Sequence, residues 1–268
     1  MDLKYLIKDI IRLRNIILVS IISIILNYFY YHNILSINKV VEGKKILQLY
    51  FGGIFASESY KIIEVIIYII PITLIVMLGI NIVREFKENY VYIFTRTRSF
   101  RHWFEKILVK DMYYITLFLF LSLIILWLFE GQAIHLKLFL CLYTFKILLM
   151  YWLQYLIIIL FTQVLFFYTK EEITTIITLS FVSIPVIITG IFYKEGSNLL
   201  KLCRYFIFNR GIYNYHEGCI LNSSNNNFII ECESLKNMNL YISLLWQVII
   251  IVMLYFIGIH KLKKIELL

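Results

Sequence analysis

The residues with the strongest chemical character in this chain lie together at positions 84–110, REFKENYVYIFTRTRSFRHWFEKILVK. Arg84, Lys87, Arg96, Arg98, Arg101, Lys106 and Lys110 stand there against Glu85, Glu88 and Glu105, interleaved with Phe86, Tyr90, Tyr92, Phe94, Phe100, Trp103 and Phe104. Cations close to an apolar span stay on the cytoplasmic side, because Lys and Arg resist translocation. Rings at this density point further, to a surface lying on the membrane interface or pressed against another protein. A helix over residues 100–106 would put Phe100, Trp103 and Phe104 on one face, with Arg98, Arg101 and Glu105 on a neighbouring strip. The plain alternative is an ordinary positive-inside loop whose rings sit among headgroups. The aromatic content and a length beyond any tight turn favour a docking helix. The chemistry is recognition.

Reaction chemistry is hard to find elsewhere. There is no GxxxxGK[ST], so the chain is not expected to bind ATP through a P-loop. His32, His102, His135, His216 and His260 are scattered, with no HExxH and no metal-ligand spacing. Glu171-Glu172 is followed by Ile-Thr-Thr-Ile, which lacks the Arg of an EExxxR protease pattern. Glu64 and Glu130 fall at the edges of apolar stretches, so no carboxylate is expected deep in a span, and a proton-coupled carrier is disfavoured. Thr174, Thr178, Pro185 and Thr189 share a helical face, for which close helix packing or the lining of a substrate path are both open. Gln154, Gln163 and Gln247 are read as helix-to-helix hydrogen-bonding groups. Cys203, Cys219 and Cys232 are expected outside and Cys141 in or near a span, so one outer pair could bridge with one thiol left over.

The elements that must carry these residues are apolar helices. The chain has 268 residues, 61% hydrophobic and 16% charged, with a mean hydropathy of +0.80. A soluble domain carries about 25% charged residues, so this is the composition of an integral membrane protein. The net charge of +9 then reads as positive-inside bias and headgroup contact, with nucleic acid excluded as a partner. Residues 1–14 read as an interfacial amphipathic helix, with Lys4, Lys8 and Arg12 opposite Leu3, Leu6, Ile7, Ile10 and Leu13. Six spans follow at about 16–31, 62–83, 112–129, 147–167, 173–192 and 240–260. Pro71 should kink the second. Residues 36–61 read as a mixed outer loop with a turn at Gly52-Gly53. Residues 194–239 read as an extracellular segment, whose part 199–208 is apolar enough to dip into the membrane. More than half of the 26 Lys and Arg then lie inside. The expectation is an all-α, six-helix membrane protein of one domain with both termini cytoplasmic.

The central stretch also carries a family resemblance. The acidic pair Glu85 and Glu88, then Tyr92 to Arg96, then Ser99, Arg101, Trp103 and Lys106, resembles the cytoplasmic loop between spans two and three of type-2 ABC transporter permeases. In that family an acidic residue opens the loop, a short coupling helix follows, and a basic residue with Lys leads into span three. On that pattern Glu85, Tyr92, Thr95, Arg96, Arg101, Trp103, Phe104 and Lys106 would couple to an ATPase. Trp103-Phe104-Glu105-Lys106 resembles the Gram-positive branch tied to bacteriocin or antimicrobial-peptide export and immunity.

The resemblance implies a permease subunit in the cell membrane of a Gram-positive bacterium. Hydrolysis, with ATP and Mg, would belong to a separate cytoplasmic ABC ATPase dimer, and this chain itself would hold no cofactor. A second permease subunit, identical or related, completes such a transporter. Residues 1–14 would be the family's elbow helix, and the fifth span would help form the subunit interface and central cavity. The cargo would be hydrophobic or amphipathic, such as a peptide or antibiotic. Two readings compete: a standalone immunity or sensor protein that sequesters a peptide through residues 194–239, and, third, a lipid-modifying enzyme, for which clustered catalytic groups are missing.

Overall fold

The computed structural model describes residues 3–30, 47–48, 50–51, 53–54, 62–96, 100–130, 142–194, 200–217, 220–224, 227–231 and 238–266. Helix dominates it. Helix α1 is Leu3–Phe29, α2 Ile62–Arg96, α3 Phe100–Glu130, α4 Leu142–Phe166 and α5 Glu171–Lys194. Two single-turn helices follow, α6 Leu200–Cys203 and α7 Asn214–Glu217. A small antiparallel hairpin joins β1 Ile220–Ser224 to β2 Asn227–Glu231. Helix α8, Leu240–Glu266, ends the described chain.

Five of these helices are long and apolar enough to cross a membrane: α2, α3, α4, α5 and α8. The spans expected at 62–83, 112–129, 147–167, 173–192 and 240–260 each fall on one of them. Local chemistry sets their ends. Asn239 opens α8 as an N-cap, its Oδ1 accepting from the backbone N–H of Tyr241 at 2.8 Å. Glu171 and Glu172 occupy the first turn of α5, where carboxylates complement the helix dipole. Helix α2 runs on through Pro71 for 35 residues, or about 52 Å at about 1.5 Å per residue. The hydrocarbon core is about 30 Å thick, so α2 reaches well beyond it.

Helix α4 is the centre of the bundle. Of its apolar window 78% is buried, against 28% for α5 and 17% for α8. It packs against α2, α8, α3 and α5, while α1 lies on α3 and α2. Large aliphatic side chains fill this centre, with Ile158, Ile159 and Leu160 wholly buried. The outward faces of α5 and α8 stay apolar, as Ile176, Ile184, Leu245 and Phe256 show. Such faces suit lipid.

The end of the bundle away from residues 84–110 departs from expectation. Residues 47–54 lie within the expected outer loop, yet Leu47, Tyr50, Phe51 and Ile54 are buried in the core. Gly53 takes a left-handed φ of 85°, and a Cβ there would sit 2.9 Å from Ile212. Only glycine fits that position without strain. The expected dip of residues 199–208 extends further along the chain, since Phe208, Ile212, Tyr213 and Tyr215 are buried too. The two inserted segments are tied together: Asn214 Nδ2 donates to the Gly53 carbonyl at 2.9 Å. Cys203 is a wholly buried thiol. Cys141, Cys219 and Cys232 lie outside the described residues.

Candidate functional site

The stretch 84–110 is built as the far end of α2 and the first turns of α3, joined through residues outside the description. Phe100 to Lys106 are helical, as expected, but they continue into the span instead of forming a separate short helix. At the root of the pair sits an ionic cluster. Arg12 on α1 is only 6% exposed, and its Nη2 donates to Glu85 Oε1 on α2 at 2.6 Å. Its Nη1 donates to Asp9 Oδ1 at 2.9 Å. That carboxylate oxygen also accepts from Lys110 Nζ at 2.9 Å and from the Tyr114 hydroxyl at 3.0 Å, both on α3. Arg84 pairs with Glu171 at the start of α5. Burial raises the Asp9 pKa, but the hydrogen bonds from Lys110 and Tyr114 and the Lys110 charge outweigh it, holding the group below its ordinary value.

This geometry corrects the reading of the N-terminal helix. The helix α1 is unbroken from Leu3 to Phe29, with no corner between an interfacial segment and a span. Arg12, expected on headgroups, turns inward to Glu85, whereas Ile10 and Ile11 are exposed. A buried guanidinium needs a carboxylate partner, and that requirement overrides the amphipathic pattern.

The expected coupling residues do not share one environment. Glu85 is engaged with α1 through Arg12. Tyr92, Thr95 and Arg96 lie on the last turns of α2, and their side chains are outside the described residues. Arg101 and Lys106 are exposed. Arg101 Nε donates to Glu105 Oε1 at 2.9 Å, and the Tyr255 hydroxyl of α8 donates to the same oxygen at 3.1 Å. Trp103 is half-buried against the core.

Phe104 is the exception within its expected strip. It is 1% exposed, packed on the Tyr255 ring at a centroid distance of 5.8 Å and seated over Gly258. A Cβ at Gly258 would stand 2.8 Å from the ring, so glycine makes the notch. Phe104 therefore anchors α3 to α8 and is not on an outward docking face.

The hydroxyl face of α5 also turns inward. Thr174, Thr178 and Thr189 are wholly buried and Pro185 is half-buried. Thr174 Oγ1 bonds the Lys170 carbonyl at 2.9 Å. Thr189 Oγ1 donates to the Pro185 carbonyl at 2.7 Å and accepts from Asn209 Nδ2 at 2.6 Å. Thr174 and Thr189 thus make contacts within the chain, while the Thr178 hydroxyl has no partner among the described residues. Of the three span glutamines, two bond between helices. Gln154 Nε2 donates to the Tyr68 hydroxyl of α2, and Gln163 Nε2 donates to Asp111 Oδ2 of α3 at 2.8 Å. Gln247 is buried with neither amide atom partnered among the described residues.

Two carboxylates are more buried than their sequence positions suggest. Asp111, next to Lys110 on α3, is wholly buried, and its Oδ1 has no partner among the described residues. Glu64 is 7% exposed and accepts from the Tyr30 hydroxyl at 2.6 Å. Lys110 pairs with Asp9 in the ionic cluster, so Asp111 beside it is a buried carboxylate at the edge of a span and not deep within one. A signal existed: Lys110-Asp111 opens a span, and Asp9 and Arg12 stand three apart, leaving charges that an apolar helix end must pair. Among the described residues no group of His, Cys, Asp and Glu could hold a metal ion. Comparison of the chain with protein families, curated proteins and solved structures finds no match in any of the three.

Proposed function

We propose that this chain is the membrane-spanning permease subunit of an ATP-driven exporter. It pairs with a separate cytoplasmic ATPase dimer and with a second permease subunit. The observation that carries the reading is the α2–α3 pair. It bears a basic, aromatic stretch beyond the apolar window of α2, on helices continuous with spans. A continuous helix transmits a displacement along its axis with little loss, because every turn is hydrogen-bonded to the next. The pair is in turn fastened to the other helices: to α1 through Arg12–Glu85, to α5 through Arg84–Glu171 and to α8 through Phe104. A push at the exposed Arg101 and Lys106 reaches the whole bundle. The ATPase binds there, ATP-driven closure moves the pair, and the spans switch the cavity between the two sides.

In this reading α1 is a sixth crossing and both termini are cytoplasmic. The cargo is hydrophobic or amphipathic, a peptide of the bacteriocin kind or an antibiotic, removed from the cell membrane of a Gram-positive host. Catalysis and its ATP and Mg stay on the partner. Purification of the tagged chain from its native membrane tests this. A P-loop ATPase should co-purify, with hydrolysis that depends on the permease. If none does, and resistance to membrane-active peptides survives deletion of every candidate ATPase, the chain is a standalone peptide-binding protein instead.

A further inference from the structure

Arg204 and Arg210 are brought together by the fold of the inserted segment, at the end of the bundle away from residues 84–110. Asn209 is wholly buried. Its Nδ2 donates to the Cys203 carbonyl at 2.9 Å and to the Thr189 hydroxyl of α5 at 2.6 Å. This clamp closes residues 203–209 into a loop, so the residues that follow its two ends, Arg204 and Arg210, leave it at the same place. The chain beyond is held as well. His216 Nε2 donates to the Arg210 carbonyl at 3.0 Å, and a Cβ at Gly211 would stand 2.5 Å from Gln154. The two cations are close enough to feel each other. Burial lowers the Arg210 pKa, Tyr205 raises it and the Arg204 charge lowers it again, and the net direction is down.

Neither guanidinium has a carboxylate partner among the described residues. Arg204 Nη2 donates to the Tyr205 hydroxyl at 2.8 Å, and its Cζ stands 4.8 Å from the centre of that ring. Arg210 Nη1 reaches Ser243 Oγ only at 3.5 Å, and its Cζ lies 5.6 Å from the centre of the Trp246 ring. A guanidinium has five N–H donors, so most of those on both residues are left for a partner outside the chain. Arg12 at the other end of the bundle shows the contrast, since Asp9 and Glu85 complete it. Both Arg204 and Arg210 are half-buried, which makes an unpaired charge costly. The surface around them is apolar: Leu202 and Ile207 on the segment, and Leu245 and Ile249 on α8, are exposed. Tyr205 and Trp246 are exposed too, as rings are at the boundary of membrane and water.

We infer that Arg204 and Arg210 together clamp the phosphate of an anionic phospholipid, whose acyl chain runs along Leu245 and Ile249 of α8. A phosphodiester offers two free oxygens, which the planar forks of two guanidiniums match. The head is anionic because a zwitterionic lipid adds an ammonium, and no carboxylate contacts the pair among the described residues to meet it. Phosphatidylglycerol therefore fits better than phosphatidylcholine. A free phosphate or an acidic peptide would meet the same guanidiniums but leave the apolar strip of α8 uncovered. Lipid binding at this place does not depend on pairing with an ATPase.

The test places the full chain in phosphatidylcholine nanodiscs and follows tryptophan fluorescence as phosphatidylglycerol with brominated acyl chains is added. Bromine quenches a nearby indole, and brominated phosphatidylcholine in equal amount gives the background. A saturable excess of quenching by phosphatidylglycerol is expected, and Trp246→Phe should remove it. Arg204→Gln and Arg210→Gln should each weaken the apparent affinity about tenfold or more. Lys201→Gln removes an exposed cation from the same segment and should change it by no more than about twofold. Arg204→Lys with Arg210→Lys keeps both charges without the forks and should bind with intermediate affinity, which separates a lost site from a lost fold. Equal quenching by the two lipids, an excess that persists in Trp246→Phe, or a loss in Lys201→Gln as large as in the arginine variants overturns the inference. Equimolar glycerol phosphate or polyglutamate that removes the excess overturns it too, and assigns the pair to a free phosphate or to an acidic peptide.

Discussion

At the residue scale, Arg12 does most to explain how the apolar helices are held in register. Its guanidinium is shared between Glu85 at 2.6 Å and Asp9 at 2.9 Å. Removing one partner of a buried pair strands the other charge, a loss on the order of 3 kcal/mol, whereas removing both is often neutral. Arg12→Leu should therefore lower the unfolding temperature in detergent markedly, and Arg12→Leu with Glu85→Leu should recover most of it. A double variant that unfolds at the sum of the two single losses would show that the pair is not coupled. Asp9 gives a weaker effect with a definite sign. Its carboxyl is held below the ordinary value of 3.8, so its contribution is present above that value and fades as pH falls through the lower, folded one. The side chain is 40% exposed, and solvent screens the effect. Unfolding temperatures of Asp9→Asn and the parent should differ at neutral pH, begin to approach each other as pH falls below about 3.8, and meet only below the folded value.

At the element scale, the α3–α8 contact turns on Gly258 and Phe104. A Cβ at Gly258 would stand 2.8 Å from the ring and 3.2 Å from its ε1 carbon. Overpacking of this kind costs about 1–3 kcal/mol, so Gly258→Val should destabilise by that amount, and Phe104→Leu should restore part of the loss. A valine tolerated without change in the unfolding midpoint would mean that the notch is loose. The same contact bears on coupling. On the permease reading, with Phe104 committed to α8, fewer rings are left to meet an ATPase, and Trp103 is half-buried. Trp103→Ala should weaken ATPase pull-down by about 2 kcal/mol or more at equal membrane abundance, and Arg101→Ala by less, since exposed pairs contribute about 0–1 kcal/mol. Retained pull-down with Trp103→Ala removes the docking claim. These elements also mark what the sequence could tell. Hydropathy found the five long apolar helices because burial in lipid needs only composition. It could not find that Phe104 faces inward while Arg101 faces out, since that depends on a glycine more than 150 positions away. Nor could it find the burial of Asp111: the aspartate stands at the rim of a span, and Gln163, from another helix, covers it.

At the scale of the whole molecule, the open matter is how many times the chain crosses the bilayer, and two contacts frame the answer. Arg12 of α1 meets Glu85 of α2, and Tyr30 of α1 meets Glu64 of α2. Going up α1 from residue 12 to residue 30 therefore goes down α2 from residue 85 to residue 64. The two helices are antiparallel over the same height, about 27 Å along α1 at about 1.5 Å per residue, close to the hydrocarbon thickness of about 30 Å. Helix α2 is one of the five apolar enough to cross, and on the permease reading α1 crosses beside it. The Arg84–Glu171 pair puts the α4–α5 turn at the same end as residues 84–110. With the four native cysteines replaced, single cysteines at Lys4, Thr169, Gly131 and Asn222 test the arrangement with a membrane-impermeant maleimide on intact cells. Lys4→Cys and Thr169→Cys should react only after permeabilisation, and Gly131→Cys and Asn222→Cys should react at once. Labelling of Lys4→Cys in intact cells, with Thr169→Cys protected, would put the first residues on the outside, and α1 would then not cross beside α2.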